Sequence, residues 1–315
     1  MSLKSGMKKD IQGMLDLKVA LGHCANTHKY RLNDFDDYCY IHFPKVSVLT
    51  EEIAMGWLVK KENESFNNQK LRMTTVRELG KYQMAMGLDA YVLPREMIGK
   101  YTRFIPYLFS DGELRALFKT IDTIGTGKTK GSSNSGLILP VVCRMLYCCG
   151  LRPGEPLRLK RNDVNLKNGE LFIRNSKGSK DRIVMMSDEL LELSSRYDSL
   201  MGKRDYFFQS PRCGMYRLNW LRANLRKCWE ASGLDNGVKQ PRVYDFRHNF
   251  ATRTIMKWID KGIDILAMIP ALSEYMGHYD FETTIYYVHL LPERLIRSAG
   301  INWDRFTGIY PEVEK

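Results

Sequence analysis

"YDFRHNFATRTI", residues 244–255, sets an arginine and a histidine inside an otherwise apolar, helix-period run. Phe246, Phe250, Ala251 and Ile255 recur at the spacing of one buried helix face, and Asp245 stands where it can cap the start. Arg247 and His248 then fall in the first turn. A guanidinium cannot shed its charge, so a buried Arg247 must face a carboxylate, a phosphate or carbonyl oxygens. On this stretch alone an ordinary ion pair is the simpler reading, so the function depends on what else in the chain converges on it.

Three other segments bear on that question. "LILPVVCRMLYCCG" (137–150) is apolar all round, as expected of a helix buried in the middle of a domain, and Gly150 can end it in the left-handed conformation. Arg152 follows at once, in "LRPGEPLRLKRNDV". "ELFIRN" and "RIVMM" are short β-prone runs flanking "SKGSKD" (176–181), which suits a hairpin turn with Lys177 at its tip and Lys180 as a rival on the same turn. "YMGHYDFETTIYYVH" (275–289) places His278 directly after a helix-ending glycine, and Tyr287 nine residues later on a helix that Asp280 can cap. Two arginines, a lysine, a histidine and a tyrosine make a complete set for phosphoryl transfer that needs no metal.

The rest of the chain frames this set. Its 315 residues have room for two domains, and a hydrophobic content of 44% with 27% charged residues is that of a globular protein. No apolar run approaches the roughly 20 residues that span a bilayer, and the N-terminus lacks the apolar core of a secretion signal, so a cytoplasmic protein is expected. The seven cysteines show no paired metal-ligand spacing and read as reduced thiols. A net charge of +12 favours a polyanionic partner, most simply nucleic acid. "GTGKT" (125–129) lacks the glycine and the preceding strand of a phosphate-binding loop, and reads as a plain loop.

Residues 1–93 read as a small helical unit, with apolar positions such as Ile11, Leu15, Leu17 and Leu21 and breaks near "THKYRLNDF", "FPKVSVLT" and "ENESFNNQK". Residues 94–106 read as a basic linker, 107–290 as a second domain opening on a helix capped by Ser110 or Asp111, and 291–315 as a tail. Amphipathic helices are expected at "SDELLELSSRY" and "NWLRANLRKCWEASG". The fold class is therefore mainly α with a small antiparallel β-sheet. In the first unit Lys29, Arg31, Lys70, Arg72, Arg77 and Lys81, with Tyr30 beside them, are candidates to track phosphates, so that two domains could clamp a duplex.

"CCGLRPGEPLRL" resembles the first arginine box of the tyrosine site-specific recombinases, the phage integrase and Xer family; "YDFRHNFAT" is similar to its second box and "MGHYDFETTIYYVH" to its third. Order and spacing match over about residues 107–290, and the hairpin lysine sits where that family keeps one. The resemblance implies a helical core-binding domain joined to a mixed α/β catalytic domain. It implies that Arg152 and Arg247 grip one scissile phosphate, Tyr287 attacks it, Lys177 protonates the leaving 5′-oxygen, and His278 hydrogen-bonds the phosphate or trades the nucleophile's proton. It further implies double-stranded DNA as partner, a homotetramer on two paired sites, docking of the tail on a neighbouring subunit, an accessory directionality factor in some systems, nucleoid association, and no cofactor. One position departs: three before the second arginine the family most often has histidine, and here stands Tyr244, able to donate to phosphate but a poor base near neutral pH. Tyr286 reads as packing and His248 as structural. A type IB topoisomerase and a DNA-binding regulator without chemistry remain as alternatives.

Overall fold

The computed structural model describes residues 3–23, 26–99, 105–123, 134–174, 181–211, 214–235, 237, 239–278 and 282–291. Lys177, Lys180, Asp280, the 125–129 loop, part of the basic linker and the tail beyond 291 lie outside the described residues. The chain divides into two units, residues 1–104 and 105–315, each with its own hydrophobic core.

The first unit packs helices α1 (Lys8–Ala20), α2 (Asn26–His42), α3 (Glu51–Leu58) and α4 (Phe66–Ala85), followed by a single turn, α5 (Arg95–Ile98). Thr50 and Ser65 start α3 and α4 by accepting a hydrogen bond from the backbone three residues on, which satisfies an otherwise orphaned donor. Ile11, Met14 and Leu15 of α1 meet Leu32, Phe35 and Cys39 of α2, and Trp57, Val76 and Leu79 complete the core. Two expectations fail here. Leu17 and Leu21 are exposed, because the buried stripe of α1 runs through Met14 instead. "THKYRLNDF" is no break but lies inside α2, where Leu32, Phe35 and Cys39 supply an apolar stripe that its polar residues obscure.

Of the six candidate phosphate-tracking side chains, Lys29 and Lys81 are exposed, and Arg31 and Lys70 are half-buried. Arg77 is half-buried and donates to the Leu93 carbonyl. Arg72 is a correction: it is buried, donates from Nε and Nη2 to Glu64 at 2.7 and 2.6 Å, reaches the carbonyls of Trp57 and Val59, and stacks on the Trp57 ring. A guanidinium with every edge occupied in the interior has none left for a phosphate.

In the second unit α6 (Asp111–Thr123), α7 (Ser135–Cys148), α9 (Asp188–Leu200), α10 (Leu218–Ala231) and α11 (Asp245–Asp260) surround one core, with α7 buried against α6, α9 and α11. Ser110 starts α6 through a reciprocal cap with Glu113. The short α8 (Glu155–Arg158) precedes an antiparallel sheet of β1 (Val164–Asn165), β2 (Glu170–Ile173) and β3 (Arg182–Met185), with Leu171 opposite both Val164 and Val184. The two expected strands are present; β1, two residues long, is an addition. A second cluster joins Ala251 and Ile255 of α11 to α12 (Ile265–Met276) and to α13 (Glu282–Ile285). Asn249 pins the start of the unit to α11, accepting from the Phe109 amide at 2.9 Å and donating to the Tyr107 carbonyl at 2.9 Å.

Replacing Arg72 with methionine strands the Glu64 carboxylate in the interior and is expected to cost about 3 kcal/mol or more in denaturant unfolding of the first unit. Lys81→Ala should leave the midpoint where it is. The hydrogen bond from Arg72 holds the Glu64 carboxyl below its usual range. The stabilisation is therefore complete above the ordinary glutamate pKa of about 4.3 and disappears as pH falls through the lowered value. An Arg72→Met protein as stable as the parent contradicts this assignment.

Candidate active site

α12 ends at Gly277, whose φ of 65° and ψ of 43° close the helix in the left-handed form. The turn leaves the carbonyls of Tyr275, Met276 and Gly277 without helical partners, at the end of the helix where the backbone dipole is negative. Each takes a different arginine. Arg182 Nε donates to Tyr275 at 2.9 Å, Arg247 Nη2 donates to Met276 at 2.7 Å, and Arg152 Nη2 donates to Gly277.

Arg247, the charged residue in an apolar run, is fully buried. It also donates from Nη1 to the Gly150 carbonyl at 2.6 Å, and Nη2 lies 2.8 Å from His278 Nε2. It has no carboxylate partner among these contacts, so the simple ion pair is not what holds it. Its Nε is buried with no hydrogen-bond partner among the described residues. Gly150 makes the approach possible: its φ is 61°, and a Cβ there would lie 2.3 Å from the Phe250 ring. Asp245 differs from expectation. Tyr244 occupies the cap position of α11, while the buried Asp245 carboxylate reaches back to accept from the Arg242 amide at 2.8 Å.

Arginine only donates, so His278 Nε2 must accept from Arg247, which puts the imidazole proton on Nδ1, 2.7 Å from the Thr284 hydroxyl. Burial, with the charges of Arg247 and Arg152 behind it, pushes the imidazole down to about 3, so it is neutral at physiological pH. Arg152 is mostly buried and pairs with Glu155, Nη1 to Oε1 at 3.0 Å, while its backbone amide donates to Oε2 at 2.8 Å.

Tyr287 is 2% exposed and lies just past the short α13, at the start of a 3-10 turn (Val288–Leu290), not on the helix where the sequence reading places it. Its ring centroid is 6.1 Å from that of His278 and 5.5 Å from that of His248. Burial raises the phenol to about 12, against the pull of the Arg247 charge. Tyr244 is half-buried and its ring lies 5.0 Å from His248. Tyr286 is half-buried with its ring 6.0 Å from that of Tyr287, which agrees with a packing role. His248 lies between Tyr244 and Tyr287, its Nδ1 buried without a partner among the described residues and its pKa lowered by burial to about 4.

The fold thus gathers Arg152, Tyr244, Arg247, His278 and Tyr287 from three separated segments, and Arg247 interacts electrostatically with Tyr244, Arg152 and Tyr287 together. Glu155, Arg182 and Thr284 were missed in the sequence. Glu155 sits inside the first box three residues after Arg152, a helix-start spacing that carried a signal; Arg182 and Thr284 carried none. Among these described groups three guanidiniums face one carboxylate, so positive charge is in excess around the end of α12. Such a site is built to receive an anion with several oxygen acceptors.

Comparison with known proteins bears on the family and the fold. The family model described as the phage integrase family matches residues 110–294. Tyrosine recombinase XerA of Thermococcus kodakarensis is 26% identical over 302 residues, covering 95% of each chain. Tyrosine recombinase XerD of Staphylococcus epidermidis is 28% identical over 196 residues, 61% of this chain and 60% of that one. In fold, the chain resembles the crystal structure of XerH site-specific recombinase bound to palindromic difH substrate, with a TM-score of 0.65 and 22% identity over 89% of this chain and 80% of the other. With three boxes in order, a matching architecture and a family model over more than half its length, the chain belongs to the phage integrase family and is a tyrosine recombinase, an enzyme of site-specific DNA recombination.

Proposed function

We propose that this enzyme cleaves and rejoins double-stranded DNA through a covalent 3′-phosphotyrosine, with Tyr287 as the nucleophile. The observation that carries the reading is the convergence of the Arg152 and Arg247 guanidiniums with His278 and Tyr287 around the end of α12. Arg152 and Arg247 bind the nonbridging oxygens of the scissile phosphate and stabilise the charge that builds on the pentacoordinate phosphorus. The buried Arg247 Nε, without a hydrogen-bond partner among the described residues, is a donor such a phosphate would satisfy.

The bond from Tyr287 Oη to phosphorus forms as the bond to the 5′-oxygen breaks. The phenol gives up its proton and the 5′-oxygen gains one, which we assign to Lys177. His278, with its Nδ1 proton held by Thr284, offers Nε2 as an acceptor once Arg247 turns to the phosphate, and relays the phenol proton to solvent ahead of attack. Tyr244 supplies a hydrogen bond to phosphate where the family more often has histidine. Because one phosphodiester replaces another, the 5′-hydroxyl of a second strand can reverse the attack without ATP or any cofactor. In this reading four subunits act on two paired sites, for integration and excision of a mobile element or for dimer resolution. Basic side chains of the first unit, the exposed Lys29 and Lys81 with the half-buried Arg31, Lys70 and Arg77, track the phosphates; Arg72 does not. Among the described residues no helix is long and apolar enough to cross a membrane.

Tyr287→Phe should retain DNA binding in gel-shift assays and form no covalent adduct on a nicked suicide duplex, while Tyr286→Phe forms it. Adduct in the first variant transfers the nucleophile to another residue, and recombinant rather than merely relaxed products separate this reading from a topoisomerase.

Attack requires the Tyr287 phenolate, and burial holds that phenol at about 12 in the free enzyme, while His278 at about 3 does not change charge in the working range. Single-turnover cleavage should therefore rise from about pH 6 to about pH 9, by up to about tenfold per unit, as the phenolate fraction grows. A profile that falls over that range contradicts deprotonation of Tyr287 as the controlling step.

A further inference from the structure

Arg182, the first residue of β3, belongs to none of the three boxes. Its side chain is 9% exposed, and its guanidinium forms a two-point pair with the more deeply buried Glu155, Nη1 to Oε1 at 3.0 Å and Nη2 to Oε2 at 2.7 Å. Nε takes the Tyr275 carbonyl. A Cβ placed on Gly277 would lie 3.0 Å from Arg182 Nη1, so this side chain also fills the space beneath the left-handed turn that precedes His278. One residue thus touches the first box through Glu155 and the third through Gly277, with Tyr275 just ahead of it.

The charge count gives the contact its meaning. Glu155 is one carboxylate shared by two arginines: Arg182 holds both its oxygens, and Arg152 touches each of them once, from Nη1 and from the backbone amide. With Arg182 in place the Glu155 charge is already neutralised, so most of the Arg152 charge is available to a third party. Without Arg182, the buried carboxylate has Arg152 as its nearest cation, and the stranded charge draws that guanidinium into a tight pair.

We propose that Arg182 is a positioning residue, and that by neutralising Glu155 and seating the Gly277 turn it keeps the Arg152 guanidinium free for the scissile phosphate. The inference rests on the catalytic reading above and assigns a role to a side chain that does not touch the substrate. A plain structural ion pair would affect folding and leave the electrostatics of cleavage unchanged.

The test is single-turnover adduct formation by the full chain on a suicide duplex selected for binding from a random pool. The duplex carries either a phosphodiester or an uncharged methylphosphonate at the scissile position. Arg182→Ala should slow the phosphodiester by about a hundredfold and the methylphosphonate by less than about threefold, because the methylphosphonate lacks the ground-state anion and carries one negative charge less through attack, so that it depends less on Arg152. Adding Glu155→Gln to Arg182→Ala removes the carboxylate that captures Arg152 and should recover most of the lost rate. Arg182→Lys, which keeps the charge and loses the fork, should fall between parent and Arg182→Ala. Equal losses on both substrates, or no recovery in the double variant, would reduce Arg182 to a structural residue and overturn the proposal. A parent chain that forms no adduct on either substrate overturns the catalytic reading itself, and this assignment with it.

Discussion

Three consecutive carbonyls at the end of α12, those of Tyr275, Met276 and Gly277, are each held by a different arginine. Those arginines come from β3, from α11 and from the loop after α7. Carbonyl oxygens are good partners for a guanidinium that must stay available, because they satisfy its donors without cancelling its charge. Only Glu155 offsets charge directly in the contacts described here, and it is shared. The result is a buried, cationic, hydrogen-bonded frame that stays electrostatically unsatisfied until an anion arrives.

That frame links fold to chemistry. Burying α7 against α6, α9 and α11 fixes Gly150, whose left-handed turn aims a carbonyl at Arg247 and delivers Arg152 two residues later. The Schellman-like closure at Gly277 sends His278 toward Arg247, where hydrogen bonding on both nitrogens selects its tautomer. Tyr287 belongs to the apolar cluster of α11, α12 and α13, so the proposed nucleophile is placed largely by packing while the proposed phosphate ligands are placed by hydrogen bonds. Its raised pKa is the cost of that burial, and it makes the phenolate dependent on nearby cations.

Much of this was legible in the sequence, for identifiable reasons. Gly150 and Gly277 announce helix ends, the apolar run before Gly150 announces a buried helix, and Arg247 in an apolar stretch announces an unusual partner. α2 was hidden because its buried positions Leu32, Phe35 and Cys39 are separated by polar and charged residues that read as a break. Arg72 looked like its basic neighbours on α4 because the Glu64 and carbonyl oxygens that enclose it lie outside α4, at the end of α3 and in the turn that follows, and meet it only when the two helices pack. Arg182 was illegible for the same reason: its partners lie 27 and 93 residues away, and a lone arginine opening a strand has no local signature. Residues acting through short-range rules were visible, and those acting through assembled tertiary contacts were not.

The most direct measurement is a crystal structure of the enzyme on a nicked duplex with vanadate at the scissile position, since pentacoordinate vanadium copies the geometry of the phosphorus during attack. Vanadium bonded to Tyr287 Oη, with nitrogens of both Arg152 and Arg247 hydrogen-bonded to its equatorial oxygens, is the predicted result. Vanadium bonded to another side chain, or an Arg247 still directed only at carbonyls and His278 with the transition-state mimic bound, would contradict the account.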